Sequence, residues 1–188
     1  HGNKKYILVQ LPEEIDNDSD AYKSGFKNIC EIGKERIRRA SKKISEKYPE
    51  SVYDDGFRVL KCDSSNMKDV YYNPSETQQS LFDTYADNIK EDRTPEDLLF
   101  QVMLDLGVLL SSKIEKTTIA GKHVFNVADG FLIACFDNDV TEETVKAVAE
   151  KKPYYAVFRD SSMANDSVAT NFDQIFASIS PDTVRKVL

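Results

Sequence analysis

The sequence contains no tryptophan, and it is poor in the residues on which many common active sites depend. Its 188 residues include 7 glycines, 3 cysteines and 2 histidines. It lacks the glycine-rich dinucleotide fingerprint, the Walker phosphate-binding loop, the Gly-x-Ser-x-Gly turn of many hydrolases and any Cys/His nucleophile pair. The residues themselves therefore indicate no catalytic group, and they do not support nucleotide chemistry by this chain alone.

The few cysteines and histidines also exclude two kinds of structural site. Cys30, Cys62 and Cys135 lie far apart, which fits neither a disulfide framework nor a zinc site. Each lies in an apolar stretch, so we expect three buried thiols that behave as small hydrophobic side chains. His1 and His123 are too few to complete a metal cluster, and we predict no metal site from them.

Long apolar runs are absent as well. No stretch approaches the roughly 18 apolar residues that a membrane span needs, and the first residues lack the pattern of a signal peptide. Hydrophobic residues make up 40% of the chain and charged residues 30%, which is ordinary for a globular protein. We therefore expect a cytoplasmic location and no membrane partner.

Positive charge is also in short supply. The net charge is −7 and the isoelectric point is near 5.0. These values argue against a chain that binds nucleic acid unaided, because neutralising phosphates normally needs a concentrated basic surface. One basic stripe runs from Lys34 to Lys43, and we interpret it as the solvated side of a helix.

The first part of the chain has the pattern of a strand, a helix and a strand. Tyr6–Leu11 is continuously apolar, which predicts a strand buried on both faces. Apolar residues recur at steps of three and four from Tyr22 to Ile44, which predicts a long amphipathic helix capped by Ser19. Phe57–Cys62 alternates between apolar and charged residues, so we expect a second strand, reached by a right-handed parallel crossover.

The rest of the chain is predicted to form a mixed sheet flanked by helices. Residues 71–93 are predicted to be a connector with a helix from Pro74 through Lys90. Thr94-Pro95-Glu96-Asp97 has the pattern of a capped helix start, and the apolar residues after it predict a buried helix. The elements expected next are a hairpin (113–119 and 122–127), a strand (131–136), a helix (141–151), a strand (154–158), a helix (166–177) and a short helix from Ser180-Pro181.

Ligand contacts are expected beyond the carboxyl ends of the first two strands, where nucleotide-binding crossovers hold their ligands. Gln10 ends the first strand and Glu13 follows it. Gln10 can bond a ribose without carrying charge, but a buried glutamine satisfied by backbone explains its position equally well. Asp63 and Ser64 follow the second strand, where they either face an adenine or ribose or form a capping turn.

Polar side chains also follow a strand later in the chain. Arg159 and Asp160 come after the predicted strand 154–158, and Asn171 lies on the helix that follows. We predict that they contact another subunit or domain, because polar groups on rigid strand ends are typical of recognition surfaces. As an alternative, Asp129, Asp137 and Asp160 would hold a divalent metal for phosphodiester cleavage, although no lysine follows at the usual spacing.

Five spaced segments resemble one known family. They are Lys5–Glu13, Ile29–Ala40, Phe57–Met67 with its Lys-x-Asp-Ser-Ser-Asn, Glu91–Leu98 and the stretches that begin and end Val157–Phe176. Together they resemble the C-terminal part of the modification (Mod) subunit of type III restriction-modification systems. These subunits are adenine-specific DNA methyltransferases of the beta class, and the resemblance covers nearly the whole chain.

The resemblance implies an α/β fold in three parts. Residues 1–70 would be a partial methyltransferase (Rossmann-like) strand-helix-strand segment, 71–93 a connector and 94–188 a small mixed-sheet α/β interaction domain. Tyr6–Gln10 would be the second strand of the methyltransferase sheet, lying at an exposed edge.

The resemblance also implies a cofactor. In that family a catalytic Asp-Pro-Pro-Tyr motif and a Phe-x-Gly-x-Gly loop for S-adenosylmethionine come before this segment, and this sequence contains neither. The implied role is one wall of the S-adenosylmethionine pocket, through Gln10, Glu13, Asp63 and Ser64, with no methyl transfer by this chain alone. Family members usually have Asp or Glu where Gln10 stands, so the ribose contact stays open between Gln10 and Glu13.

The implied partners are DNA with its target adenine flipped out, a second Mod subunit and the restriction (Res) subunit. An alternative of a different class is a pure interaction module, in which residues 94–188 mediate subunit contacts and bind no ligand.

Overall fold

The structure, a computed structural model, describes residues 5–50, 52, 54–68 and 88–188. The chain separates into two compact units, His1–Cys62 and Asp63–Leu188, which we call the first unit and the second unit. Each unit has its own secondary-structure elements. The threefold division of the sequence at residues 70 and 93 stays a prediction.

The first unit contains two helices where the sequence predicts one. Ser19 caps the short helix α1 (Asp20–Lys23), as expected, and accepts a backbone N–H bond at 3.2 Å. The chain then turns at Gly25, whose φ of +98° is readily adopted only by glycine. Asn28 caps the main helix α2 (Ile29–Lys47) through a bond of 3.1 Å. The long-helix prediction is right for α2 and wrong for the turn before it.

The two strands predicted in this unit are not formed. Tyr6–Leu11 and Phe57–Cys62 lie in segments with neither helix nor strand, so the predicted crossover, with Tyr6–Gln10 as an edge strand, is wrong for the described residues. The first segment is exposed along its length, with Ile7 91% and Val9 93% accessible. A strand satisfies its backbone through a neighbouring strand, and the described part of this unit contains none.

Helix α2 also keeps apolar surface open. None of its 19 residues is buried, and Ile29 and Ile44, near its two ends, are 41% and 46% exposed. The apolar side predicted from the sequence is therefore present, but the described residues of the first unit cover little of it.

The second unit is built on a five-stranded mixed sheet in the order β1-β2-β3-β4-β5. The strands are β1 (Ile114–Ile119), β2 (Lys122–Val127), β3 (Leu132–Cys135), β4 (Tyr155–Phe158) and β5 (Val184–Val187). The first three are antiparallel neighbours, whereas β3, β4 and β5 run parallel. The predicted mixed sheet is confirmed.

Helices cover both faces of this sheet. Helix α4 (Glu142–Glu150) connects β3 to β4, and α5 (Asp166–Ile179) connects β4 to β5. Both belong to one hydrophobic cluster with sheet residues such as Ile133 and Phe158. Helix α3 (Pro95–Asp105) belongs to a second cluster. Strand β3 is buried at all four positions, as expected for a strand covered on both faces, and α4, α5, the sheet and α3 make an α/β fold.

The cluster beneath α4 and α5 contains Val124, Ile133, Cys135, Val140, Val145, Val148, Ala149, Ala156, Phe158, Val168, Phe172, Ile175 and Phe176. The cluster beneath α3 contains Ile89, Leu98, Leu99, Val102, Met103, Val108, Phe125, Val127, Leu132, Ala134, Phe136 and Val157. Neighbours along β3 alternate between the two clusters, because successive side chains of a strand point to opposite faces.

Two local signals in this unit are confirmed in detail. The Thr94 hydroxyl accepts the N–H of Asp97 at 3.3 Å and the Asp97 carboxylate accepts the N–H of Thr94 at 2.8 Å, which is a complete capping box. The predicted hairpin turns at Ala120 and Gly121, whose φ angles are +47° and +77°. Positive φ at both central residues is what a type I′ hairpin requires.

The C-terminal helix predicted in the second unit is not formed. Ser180-Pro181 does not start a helix, and Val184–Val187 instead forms β5, paired with β4. Thr183 donates a hydrogen bond from its hydroxyl to the carbonyl of Pro153 at 2.6 Å, which holds the chain in place just before β5.

Most of the helix predicted from Pro74 lies outside the described residues, and residues 88–90 at its predicted end are not helical.

The cysteines are not all buried. Cys135 is buried, Cys30 is half-buried and Cys62 is exposed. The expectation of three buried thiols is therefore correct only for Cys135, whose strand is covered on both faces. Within the described ranges, no helix is both long and apolar enough to cross a membrane.

Candidate functional site

The predicted ribose contacts lie on an open segment of the first unit. Gln10 is exposed, and its side-chain amide donates to the carbonyl of Leu11 at 3.2 Å, so the buried glutamine considered above is wrong. Glu13 is exposed too, but its backbone is held at both ends. Its N–H donates to Leu11 at 2.9 Å, and its carbonyl accepts the N–H of Ile29, the first residue of α2, at 3.0 Å. The segment is thus anchored at Glu13 and open at Gln10.

A cleft of about 280 Å³ lies in the same unit. It is lined by Pro12, Glu14, Ile15, Asn17, Tyr22, Lys27 and Asn28. The ammonium of Lys27 lies 4.0 Å from the ring centroid of Tyr22. Neither Gln10 nor Glu13 lines this cleft, and sequence reasoning missed it because the lining residues come from several separate turns.

Asp63 and Ser64 lie beside two basic side chains of the second unit. The Arg93 guanidinium is 3.4 Å from the Asp63 carboxylate and 3.3 Å from the Ser64 hydroxyl. Lys90 donates to the same hydroxyl at 2.9 Å. The N–H of Ser64 donates to Asp63 at 2.7 Å, and this bond, followed by the charge of Arg93, lowers the pKa of Asp63. Sequence reasoning missed Lys90 and Arg93, although both lie just before the capped start of α3.

The turn that contains Asp63 and Ser64 is also fixed to α3. The side-chain amide of Asn66 donates to the carbonyl of Asp97 at 2.9 Å, and its N–H donates to the side-chain oxygen of Gln101 at 3.2 Å. This segment therefore has a structural role as a turn against α3. A contact with adenine or ribose would add to that role and stays a prediction.

Arg159 and Asp160 lie at the carboxyl end of β4, where the sequence placed them. The half-buried Arg159 accepts the Ser162 hydroxyl on its carbonyl at 2.7 Å and donates from its guanidinium to the Ser161 hydroxyl at 3.3 Å. Asp160 is exposed, and its N–H donates to the carbonyl of Leu188 at 3.1 Å. The backbone here is held by Leu188, the residue after β5, and the Asp160 carboxylate is accessible to a partner.

Asn171 lies in a groove of about 320 Å³ that is lined by residues of α4 and α5. Its side-chain amide donates to the Glu142 carboxylate at 3.0 Å and to the Ser167 hydroxyl at 3.3 Å. The bond to Asn171 is the main cause of a lowered pKa at Glu142, and Lys146 contributes from 3.6 Å. Asn171 thus links α4 to α5, and its role in partner contact stays a prediction.

Two of the three carboxylates considered for a metal have other partners. Asp137 accepts the N–H of His123 at 2.7 Å and lies 2.9 Å from its Nδ1, and Asp129 lies 3.4 Å from the Lys113 ammonium. Among the residues that the structure describes, no three His, Cys, Asp or Glu side chains are grouped for a metal ion. The geometry therefore gives no support to the metal-nuclease alternative.

An exposed aromatic pair lies at the amino ends of β3 and β4. The rings of Phe131 and Tyr154 are stacked, with centroids 5.1 Å apart and planes 3° apart, while the two residues remain 41% and 53% exposed. Sequence reasoning assigned both residues to strands and missed this surface. The aromatic content of the two segments was the available signal.

Two known proteins similar to this chain are both Mod subunits of type III restriction-modification enzymes. The chain is 33% identical over 151 residues to the Mod subunit of the type III restriction-modification enzyme EcoP15I of Escherichia coli, a match that covers 78% of this chain and 21% of that subunit. It is 27% identical over 150 residues to the EcoPI Mod subunit of Escherichia phage P1, covering 80% of this chain and 22% of that subunit. No family model matches the chain. The chain thus spans about a fifth of the length of the curated relatives that it matches.

Proposed function

We propose that this chain, which is related to the Mod subunits of type III restriction-modification enzymes, is a segment of an S-adenosylmethionine-dependent DNA adenine-N6 methyltransferase. The observation that carries the proposal is the 33% identity across 78% of the chain. Because the chain spans only about a fifth of its relatives, the activity belongs to a longer protein of which this segment is one part. This chain contributes no catalytic group of its own.

The segment at Gln10 and Glu13 is the proposed contact with the cofactor. Ribose hydroxyls are recognised by an acceptor beyond a strand end, and both side chains carry acceptor oxygens on exposed positions. The fixed backbone of Glu13 favours it as the directional partner, whereas Gln10 occupies the position at which related enzymes usually have an acid. Asp63 and Ser64 are the further candidates for the adenine or ribose.

The exposure of Tyr6–Leu11 supports this proposal. A run of apolar residues in water costs about 25 cal/mol for every Å² left uncovered, so such a run is expected to be covered in the functional protein. A methyltransferase sheet would supply strands on which these residues pair and pack. In that setting the predicted strand would form from the same residues that are irregular here.

The test is methylation by the complete product of the gene that encodes this sequence. We expect transfer of the tritiated methyl group from S-adenosylmethionine to DNA, with N6-methyladenine as the product in the hydrolysed DNA. Gln10→Ala or Glu13→Ala is expected to raise KM for the cofactor, and the larger rise identifies the ribose contact. Glu50→Ala, at an exposed turn of the same unit, is the matched control. A complete product that forms no N6-methyladenine refutes the proposal.

A second candidate function is a subunit-contact module in residues 94–188. It is favoured by the separate core of the second unit and by the accessible carboxylate of Asp160 at a rigid strand end. Its partners would be a second Mod subunit and the restriction subunit, within a cytoplasmic enzyme that acts on DNA. Calorimetry and light scattering separate the candidates for this chain. Micromolar binding of S-adenosylmethionine favours a role as part of the cofactor pocket, and a dimer without such binding favours the subunit-contact module.

A further inference from the structure

Positive charge is concentrated in the first unit and, within it, on α2. The first unit has 13 Lys and Arg against 11 Asp and Glu, a net charge of +2, whereas the second unit has 12 against 21, a net charge of −9. Helix α2 alone carries 7 basic residues and 3 acidic ones. The overall negative charge of the chain therefore conceals one basic element.

The basic side chains of α2 are arranged as a ridge. Lys34, Arg38 and Lys42 follow one another at intervals of four residues, and Arg39 and Lys43 form a parallel row beside them. With a rise of about 1.5 Å per residue, the first row extends over about 12 Å. Duplex DNA carries roughly one phosphate per 1.7 Å of its axis, so this ridge is long enough to meet several phosphates.

Few of these cations are neutralised within the described part of the first unit. Glu35 pairs with Arg39 at 2.7 Å, and Glu46 approaches Lys42 only to 4.0 Å. Both pairs are on the surface, where such contacts are weak.

Two further cations of α2 lie over aromatic rings, and this contact does not neutralise their positive charge. Arg38 lies 5.7 Å from the ring centroid of Phe57, and Lys47 lies 5.3 Å from that of Tyr48. Among the described residues, Lys43 makes no carboxylate contact, and it is exposed. The ridge thus keeps most of its positive charge available to an anionic partner.

We propose that the basic ridge of α2, formed by Lys34, Arg38, Arg39, Lys42 and Lys43, binds the phosphate backbone of DNA. This inference rests on the proposed function, because a DNA methyltransferase must hold a duplex while it acts on one base. The ridge holds the duplex through charge and carries no base specificity, since phosphate contacts position a protein without reading the sequence. It revises our interpretation of this stripe as only the solvated side of a helix, and with it the expectation that the chain does not bind nucleic acid unaided.

The test measures binding of the 188-residue chain to a labelled DNA duplex of arbitrary sequence by fluorescence anisotropy. Affinity is followed as salt rises from about 50 to 200 mM, a range over which phosphate contacts weaken strongly. We expect binding at low salt, with log K falling by about 0.9 per log unit of salt for each phosphate bound. The triple variant R38Q/K42Q/K43Q is expected to reduce that slope by about 2 to 3, roughly one for each basic side chain replaced. Glutamine has a helix propensity close to those of Lys and Arg, so circular dichroism should show α2 intact.

The matched control is K151Q/K152Q/K186Q, which removes the same charge from three exposed lysines of the second unit. The control is expected to keep the parent slope. Equal weakening by both variants would show an effect of net charge alone and overturn the proposal, as would the absence of DNA binding at about 50 mM salt. The assay contains no S-adenosylmethionine, so it is independent of the methylation test. A chain that does not bind DNA through α2 can still belong to an active methyltransferase, and DNA binding through α2 can still be measured if no methylation is found.

Discussion

Replacing Phe176 by alanine should destabilise the second unit far more than the same change at Phe131. Phe176 is fully buried in the cluster beneath α4 and α5, and its ring lies 5.2 Å from that of Phe172 at an interplanar angle of 62°. Phe172 in turn lies 5.4 Å from Phe158 on β4. The truncation therefore removes one end of a row of three edge-to-face rings that joins α5 to the sheet.

The magnitude follows from burial. Phe→Ala in a core costs about 3–5 kcal/mol, because transfer free energy is forfeited and a cavity is left behind. Phe131 is 41% exposed, so truncating it leaves little cavity and removes mainly its stacking on Tyr154, which is worth about 0.5–1.5 kcal/mol. Domains are stable by only about 5–15 kcal/mol, so the buried change removes a large fraction of the total.

The assay is urea denaturation followed by far-ultraviolet circular dichroism, because the chain contains no tryptophan for fluorescence. With a slope of about 2 kcal/mol per molar urea, Phe176→Ala should lower the midpoint by about 2 M and Phe131→Ala by less than about 1 M. Equal shifts for the two variants would refute the assignment of Phe176 to the core and of Phe131 to the surface. A change in slope rather than in midpoint would point to an altered denatured state instead.

Three further predictions concern the capping box of α3 and the cysteines. Thr94→Ala should cost about 1 kcal/mol in the same denaturation, because it removes one half of the capping box of α3. The stabilisation that the Asp97 carboxylate contributes to the capping box depends on pH. The Thr94 hydrogen bonds lower the pKa of Asp97 below its usual 3.8, so its stabilisation is complete above that value and disappears as pH falls through the depressed folded pKa. Asp97→Asn, which is neutral at every pH, and the parent chain should therefore converge in stability well below pH 3.8, and a constant difference down to the lowest pH would contradict the linkage. Burial raises the pKa of the Cys135 thiol to about 11, so an alkylating reagent at neutral pH should label the exposed Cys62 quickly and Cys135 only on unfolding. Mass spectrometry of the labelled peptides checks this, and rapid native labelling of Cys135 would disprove its burial.

The second unit was largely predictable because its signals are local. The capping box at Thr94, the positive-φ hairpin at Ala120-Gly121 and the fully apolar β3 each act within a few residues, and all three are formed. The C-terminal segment was not predictable in this way. Ser180-Pro181 has the pattern of a helix start, but Thr183 bonds to Pro153, a residue 30 positions earlier, and the following residues pair with β4.

The candidate functional residues were predictable by identity, but the contacts that each of them makes were not. The polar character of Gln10, Glu13, Asp63 and Ser64 can be read from the sequence. The hydrogen bonds of Arg93 and Lys90 to Ser64 cannot, because they join segments that are 26 to 29 residues apart.

The sequence alone determined the four longer helices (α2 to α5), the α/β class and, through five spaced segments, the relationship to type III Mod subunits. The difference in net charge between the basic helix α2 and the acidic second unit is also present in the sequence. Tertiary structure decided which apolar runs become strands. Leu132–Cys135 is a strand because β2 and β4 flank it and helices cover both faces. Tyr6–Leu11, apolar at every position but Gln10, is irregular and exposed because no strand in the described part of its unit accepts its backbone hydrogen bonds. Burial of apolar residues is favourable wherever it can occur. Such a run becomes part of a sheet only where a neighbouring strand is present to form the backbone hydrogen bonds.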